Sequence, residues 1–422
     1  MLITGAHRVC TTCLLLLGAS GCALERDPAP PLETALRLTP AEIDGLRAAA
    51  CSADDRIAIV SGLGAAPCPA VADWTQSKLF SGGPAGTLGD FCRYRYSGAV
   101  PFDPAVDPQD LDPAVTRHDP DCAVVEPQGD ALSSAYAGTL RAAFRDAINR
   151  LDAGDLELPS PELVPTPVTV VVVDTIPASA PSDPTSRHGE DMAAFVTDVA
   201  CPGGATECAI DVEYALAMPL LPDGTLDLQH GGLLGSQGSL ARAIHGGHAS
   251  AAAAGSRVIL GLSLGWDGEA FGGRNDAPMP TPVAAVEAAI ARARCEGAIV
   301  IAAAGNATAS CTTGMLMPAD LEQDPAPDAA RCAALGASSS LAAADYQPMV
   351  YAVGGLDLTG GLSPAMDRGG MPRLAAPATH AVPGPTRPPL TGTSVSAAVT
   401  AGTLALLWSH FGDADGDALM SL

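Results

Sequence analysis

Val168-Thr169-Val170-Val171-Val172-Val173-Asp174 is a continuous run of β-branched residues that ends in a carboxylate. The run lacks the apolar–polar alternation of a strand with one solvated face, so it predicts a strand buried on both faces of a parallel sheet. Functional groups of such sheets collect at the carboxyl ends of the strands. Asp174 therefore stands where a parallel sheet places its ligands.

Strand and helix patterns alternate along the chain from about residue 161. The predicted helices cover residues 188–199, 240–254, 282–294 and 395–410, and the predicted strands cover residues 257–260, 298–303 and 350–353. The first helix should turn Met192, Ala193, Phe195 and Val196 inward. This order predicts an α/β domain over residues 161–422, a doubly wound parallel sheet with helices on both faces.

Composition indicates a folded protein that does not bind nucleic acid. The 422 residues are 47% hydrophobic and 16% charged, which allows a large buried core. A net charge of -25 repels nucleic acid phosphates and anionic lipid headgroups, so both are excluded as partners of the surface.

The N-terminus has the pattern of an export signal. Arg8 precedes an apolar run at residues 14–17 that is too short to span a bilayer. Small residues then lead to Gly21-Cys22, which resembles a bacterial lipoprotein cleavage site, so residues 1–21 are predicted to be removed and Cys22 lipidated. An ordinary secretory signal cleaved nearby is the alternative. Both place the protein outside the cytoplasm, in the cell envelope or the extracellular space.

Two further regions separate the signal from the α/β domain. Residues 22–35 are Pro-rich and charged, which predicts a tether. Residues 36–160 begin with a helix signal at Thr39 and Glu42 and contain four cysteines. A small separate domain, an N-terminal extension packed on the next domain and a cleaved propeptide are all compatible with this pattern.

Nine cysteines follow Cys22, and in an exported protein they favour disulfides over a metal site. Cys201 with Cys208 and Cys311 with Cys332 are candidate local pairs. Because nine is odd, at least one thiol is free or pairs outside the chain. No CxxC pair remains after the signal, so no zinc site is expected.

Four segments supply the groups that acyl transfer by serine requires: an acid, a base, an oxyanion donor and a hydroxyl. Asp174 ends its strand, and His188 opens an apolar helix beside Gly189. Asn306 follows a strand of small residues, where its amide can donate to a developing negative charge. Ser394 begins a helix whose dipole and free N–H groups favour negative charge.

Each segment also has a common structural explanation. A strand-ending aspartate often caps a turn, a histidine in a first helical turn is often solvated, and a Gly-Asn pair often forms a turn. Ser394 would serve equally well as a helix cap. His230-Gly231 and His245-Gly246 are rival His-Gly pairs, but neither opens an apolar helix.

The segments taken in order resemble the Asp, His, Asn and Ser motifs of the subtilisin-like serine peptidases. The likeness is carried by Val173-Asp174-Thr175, His188-Gly189 with Met192-Ala193, Ala304-Gly305-Asn306 and Gly392-Thr393-Ser394 with Ala397. Ser263-Leu264-Gly265, which follows a predicted strand, resembles the family's substrate-binding edge. The resemblance covers about residues 165–410.

The resemblance implies a serine endopeptidase that acts on a peptide or protein substrate. The N-terminal signal predicts that it is exported, and a monomer is expected. Asp174, His188 and Ser394 would form the triad, and Asn306 with the backbone N–H of Ser394 would form the oxyanion hole. This chemistry requires no cofactor. No metal site can be placed, and the acidic run 413–417 has its glycine in the wrong position for an EF-hand loop, so it is interpreted as an acidic surface tail.

Two alternatives to a serine peptidase remain open. Only 13 residues separate Asp174 from His188, which is shorter than usual in the family, and Glu190-Asp191 replace the usual Thr-His. A catalytically inactive binding module with the same fold is therefore one alternative. The other is an α/β-hydrolase esterase, because residues 261–265 match a G-x-S-x-G elbow around Ser263. That elbow must turn directly into a helix, and a Gly/Pro-rich stretch follows here instead.

Overall fold

The computed structural model describes residues 51–82, 84–100, 102, 115–125, 166–177, 187–201, 210–221, 226–232, 234–306, 314–338, 346–363, 370–383, 387, 389–412 and 414–420. The predicted signal, the tether, the helix signal at Thr39 and the lipidation site Cys22 lie outside these residues. Among the described residues, no helix is both long and apolar enough to cross a membrane.

Strands and helices alternate through most of the described chain. The strands are β1 (Cys51–Val60), β2 (Trp74–Lys78), β3 (Phe91–Tyr96), β4 (Val115–Val125), β5 (Val168–Asp174), β6 (Ile210–Leu216), β7 (Leu234–Ser236), β8 (Arg257–Leu262), β9 (Ile299–Ala303), β10 (Tyr351–Leu356) and β11 (Leu374–Pro377). The helices are α1 (His188–Ala200), α2 (Gln237–Ala253), α3 (Gly268–Phe271), α4 (Thr281–Cys295), α5 (Ala329–Ala334), α6 (Thr393–His410) and α7 (Gly416–Met420).

A parallel sheet of six described strands forms the centre of the α/β domain, in the order β11-β10-β9-β8-β5-β6. All seven residues of β5 are buried, as its β-branched run predicts. Val171 and Val173 pack with α2 and α4 on one face, whereas Val170 and Val172 pack with α1 and α6 on the other. Each fully buried valine side chain contributes about 1.5–3 kcal/mol. The doubly wound α/β architecture predicted from the sequence is confirmed.

The predicted helix at residues 240–254 begins earlier than expected. Ser236 is its N-cap, because the Ser236 side chain accepts the backbone N–H of Ser239 at 3.1 Å, and α2 starts at Gln237. The apolar periodicity starts only at Leu240, so the sequence pattern missed the first turn.

A second sheet of five described strands contains most of the described N-terminal region, in the order β2-β3-β1-β4-β7. Disulfides Cys51–Cys122 and Cys68–Cys92 join its strands and the adjoining loop. Its last member, β7, belongs to the α/β domain and pairs antiparallel with the end of β4. We call residues 51–125 the N-terminal unit. The unit thus joins the α/β domain through continuous backbone pairing.

The predicted pairing of Cys311 with Cys332 is wrong. Cys332 on α5 is joined to Cys295 at the end of α4, because those two helices pack together. Cys201 is disulfide-bonded to a partner outside the described residues, so its predicted pairing with Cys208 stays a prediction.

The interpretation of residues 413–417 as a surface tail is also wrong for its last residue. Asp417 is 1% exposed in α7. Its carboxylate accepts hydrogen bonds from Arg294 and Tyr351 at 2.7 and 2.6 Å. A buried carboxylate with such partners anchors the C-terminal helix to the sheet.

Candidate active site

Asp174 and His188 form a hydrogen-bonded pair at the carboxyl end of β5. Asp174 Oδ2 lies 2.8 Å from His188 Nδ1, and Asp174 is 0% exposed. The other carboxylate oxygen accepts the backbone N–H of Thr175 at 2.7 Å. An aspartate fixed in this way holds the imidazole in one orientation.

Gly189 allows the helix that carries His188 to approach β5. A Cβ on Gly189 would clash with the carbonyl oxygen of Thr175 and lie 3.1 Å from Cβ of Asp174. The Gly189 N–H donates to the Thr175 hydroxyl at 2.9 Å. The short Asp174–His188 spacing therefore does not prevent the pair from forming.

Ser394 lies in the first turn of α6 and is 3% exposed. Its hydroxyl donates to the carbonyl oxygen of Ser263 at 3.0 Å, and the Ser263 hydroxyl donates to the carbonyl oxygen of Ser394 at 3.1 Å. Because a hydroxyl has one proton, Ser394 would have to give up this hydrogen bond before its hydroxyl could donate to another acceptor. In enzyme structures without a bound ligand, catalytic hydrogen bonds are often long or poorly aligned, and they tighten when the substrate binds.

Asn306 is held against the segment that leads into Ser394. Its Oδ1 accepts the Thr393 backbone N–H at 2.9 Å and the Thr393 hydroxyl at 3.2 Å. The same hydroxyl accepts the N–H of Gly305, whose φ of 106° suits glycine. With its oxygen committed to Thr393, the Asn306 amide has a fixed orientation. A Cβ on Gly392 would lie 3.0 Å from Asn306 Nδ2, so glycine keeps this contact open.

The predicted substrate-binding edge is paired with the N-terminal unit. Val125 and Gly265 exchange two backbone hydrogen bonds, each 3.0 Å long. On its other side, Val125 pairs with Leu234 of β7. The end of β4 thus lies between β7 and Gly265, to which it is joined by one isolated antiparallel bridge.

The rival residues have other roles. His230 Nδ1 lies 3.0 Å from the carbonyl oxygen of Pro177, and His245 packs its ring on Phe80 of the N-terminal unit. Ser263 is not followed by a helix N-terminus, because Gly265 and Trp266 form isolated β-bridges before α3. The G-x-S-x-G stretch therefore lacks the strand-to-helix turn of a nucleophile elbow.

A sequence model of the subtilase family matches residues 179–421, which is more than half of the chain. The chain therefore belongs to the subtilase family and is a serine-type peptidase. The matched range includes His188, Asn306 and Ser394 but begins after Asp174. The proposed role of Asp174 is supported by its hydrogen bond with His188.

Solved structures of peptidases resemble this chain at low identity. Sphericase has 16% identity and a TM-score of 0.41, and the match covers 67% of this chain and 86% of sphericase. The S41 psychrophilic protease has 17% identity and a TM-score of 0.43, with 70% and 89% covered. The nisin leader peptidase NisP from Lactococcus lactis has 17% identity and a TM-score of 0.41, with 68% and 89% covered. A search of curated protein sequences finds no match.

Sequence reasoning gave no role to the two threonines that support the site. Thr175 bonds both Asp174 and Gly189, and Thr393 bonds both Gly305 and Asn306. The available signal was their position in the sequence, directly after Asp174 and directly before Ser394.

Proposed function

We propose that the protein is an exported serine endopeptidase with Asp174, His188 and Ser394 as its triad. The observation that carries this proposal is the 2.8 Å bond between buried Asp174 and His188 in a chain of the subtilase family. A fluorophosphonate probe, which reacts with activated serines, tests it. The full-length protein should be labelled, and Ser394→Ala should not.

The proposed mechanism is acyl transfer. Ser394 attacks the scissile carbonyl while His188 takes its proton, and His188 then protonates the leaving amine. Asp174 stabilises the imidazolium that forms. The oxyanion is bound by the Ser394 backbone N–H at the helix start and by the Asn306 amide. Water repeats the sequence to release the acyl group, and no cofactor enters the reaction.

The peptide substrate is proposed to add as a strand along Ser263-Leu264-Gly265. This edge has backbone groups that pair with an antiparallel strand, because Gly265 already exchanges two hydrogen bonds with Val125. An inactive binding module remains the alternative, and it would fail to react with the probe. An esterase that uses Ser263 is disfavoured by the absence of a helix at that serine.

The N-terminal unit is proposed to act as an intramolecular inhibitor, which corresponds to the propeptide-like alternative among those left open for residues 36–160. Its strand β4 pairs with β7 and, through Val125, with Gly265, which is part of the edge proposed above to bind the substrate. Two aspartates of β4 hold it there. Asp119 accepts the backbone N–H of Thr281 at the start of α4 at 2.7 Å. Asp121 accepts the N–H of Gly238 in the first turn of α2 at 2.8 Å.

The Asp121 contact is buried. Burial raises the pKa of the Asp121 carboxyl, and the Arg93 guanidinium 3.2 Å away opposes that rise. Carboxylates at helix N-termini are stabilised by the dipole and the free N–H groups. The two contacts therefore fix the register of β4 on the α/β domain.

Weakening this docking should increase peptidase activity. Val125→Pro removes the N–H that donates to Gly265, and Asp119→Ala removes the helix-capping contact to Thr281. We expect the combined variant to hydrolyse a peptide substrate at least about tenfold faster than the unmodified full-length protein. In the unmodified protein a substrate strand competes with β4, which has a high effective concentration because it belongs to the same chain.

Asp328→Ala is the matched control, because Asp328 caps α5 by accepting the N–H of Arg331 at 2.7 Å. The Asp328→Ala variant should hydrolyse the peptide substrate no faster than the unmodified protein does. Equal rates for the unmodified protein and the docking variant, with equal labelling by the probe, would refute inhibition by β4.

Export through a lipoprotein signal is the other part of the proposal, and it rests on Gly21-Cys22 in the sequence. Cys22→Ser should move the protein from the membrane fraction to the soluble fraction or leave its signal uncleaved, because the lipid is attached to that thiol. Fractionation and intact-mass measurement provide the test. Unchanged partitioning and mass would contradict lipidation and favour an ordinary secretory signal.

A further inference from the structure

A cluster of charged residues adjoins His188 in addition to its hydrogen bond with Asp174. Glu190 and Asp191 lie in the first turn of α1, directly after His188-Gly189. Arg387, from the segment before Ser394, reaches both of them. Its Nη2 lies 2.5 Å from Asp191 Oδ1, and its Nη1 lies 3.3 Å from Glu190 Oε2.

The ion pair between Arg387 and Asp191 is largely shielded from solvent. Their side chains are 13% and 12% exposed. Burial raises the pKa of the Asp191 carboxyl, whereas Arg387 and, after it, His188 lower that pKa. The charge of Asp191 is thus balanced mainly by Arg387, and a shielded ion pair is costly to break by removal of one partner.

Arg387 lies on a segment that leads directly to the nucleophile. Ala381 and Leu390 pair through two backbone hydrogen bonds of 2.8 and 2.6 Å, and Arg387 lies between them in sequence. The Thr391 hydroxyl accepts the N–H of His380 at 2.9 Å, and α6 with Ser394 starts directly afterwards. The guanidinium of Arg387 therefore links the segment that leads to Ser394 with the helix that carries His188.

We propose that Arg387 is a positioning residue for the peptidase reaction. By bridging Glu190 and Asp191, it holds α1 and the Ser394 segment at the separation that lets the Ser394 hydroxyl reach His188. It also balances the two carboxylates beside the imidazole. This inference rests on the triad proposed above.

The charged and titratable groups around the cluster come from several elements. Asp174 faces His188 from β5, and Arg187 pairs with Glu190 from the start of α1 at 2.8 Å. Tyr214 of β6 is near Glu190, although burial is the larger cause of its raised pKa. With Arg387 removed, the negative charge of Glu190 and Asp191 is less fully neutralised. This charge favours the protonated imidazole, so the pKa of His188 should rise.

The test is the second-order rate constant for fluorophosphonate labelling of the full-length protein, measured across pH. A small probe is suitable because it needs Ser394 and His188 but not the peptide-binding edge. Arg387→Gln should slow labelling at the plateau by about tenfold or more, since small misplacement of reacting groups is costly. It should also move the acidic midpoint to higher pH by about one unit.

Three variants complete the design. Arg387→Lys should recover much of the rate, and Asp191→Asn combined with Arg387→Gln should return the midpoint toward that of the unmodified protein. Arg187→Gln is the matched control: it removes the same charge from Glu190, but its side chain is 33% exposed, so labelling should stay within about twofold.

The outcomes separate the inference from the triad. If Arg387→Gln labels within about twofold of the unmodified protein with an unchanged midpoint, while Ser394→Ala does not label, Arg387 has no positioning role and the triad stands. If Arg187→Gln and Arg387→Gln have equal effects, net charge alone acts and positioning is refuted. If Ser394→Ala still labels, the triad itself is wrong. Thermal melting of each variant identifies a loss of rate that follows from unfolding, and such a loss would also refute a positioning role.

Discussion

Ser394→Ala should lower peptide hydrolysis by about 10⁶-fold and abolish covalent labelling by a fluorophosphonate probe. The magnitude is the one measured in subtilisin and is borrowed from the family. The physical reason is that alanine has no hydroxyl to attack the carbonyl, so no acyl-enzyme forms. Hydrolysis of a chromogenic peptide and gel detection of the probe are the measurements.

Ser263→Ala is the matched variant, because Ser263 and Ser394 exchange hydrogen bonds between hydroxyl and carbonyl. It should still label, since the carbonyl that accepts from Ser394 is kept. Its main effect should be on the affinity for peptide. Labelling that is lost in Ser263→Ala and kept in Ser394→Ala would reverse the assignment of the nucleophile.

Asn306→Ala should lower kcat by about 10²–10³-fold and leave KM nearly unchanged. This magnitude also comes from subtilisin. The amide is expected to donate to the oxyanion, which exists only in the transition state and the tetrahedral intermediate, so ground-state binding of the peptide should be spared. Steady-state kinetics with one peptide substrate separates the two constants.

Thr393→Val provides a graded comparison with Asn306→Ala. It removes the hydroxyl that bonds Asn306 at 3.2 Å and Gly305 at 3.0 Å but keeps the backbone N–H that holds Asn306 Oδ1. The expected loss in kcat is about three- to tenfold, because Asn306 loses one of its two hydrogen bonds to Thr393 and keeps the other. A loss in Asn306→Ala that appears only in KM would show that the amide binds substrate and does not stabilise the oxyanion.

Local sequence patterns predicted the α/β core because each pattern by itself indicates one strand or one helix. The β-branched valine run of β5 favours a buried strand, and the apolar spacing after His188 favours a helix. Asp174 ends the strand and His188 begins the helix, and the structure places Asp174 Oδ2 2.8 Å from His188 Nδ1. The sequence did not indicate whether 13 intervening residues would allow this, because that depends on how closely Gly189 packs on Thr175.

Contacts between distant segments were not predicted. The pairing of Val125 with Gly265 depends on backbone groups that every residue has, so no side-chain pattern marks it. Asp417 belongs to an acidic run that looks solvated, and only the packed structure places Arg294 beside it. Arg387 is similar, because its partners on α1 are nearly 200 positions away in the chain.

The most direct test of the proposed triad is to identify the residue that a fluorophosphonate modifies in the unaltered full-length protein, by proteolysis and mass spectrometry. The triad of Asp174, His188 and Ser394 predicts a single adduct on Ser394, formed with a rate that falls as His188 is protonated. An adduct on Ser263, or no adduct at a pH where the imidazole is neutral, would contradict it.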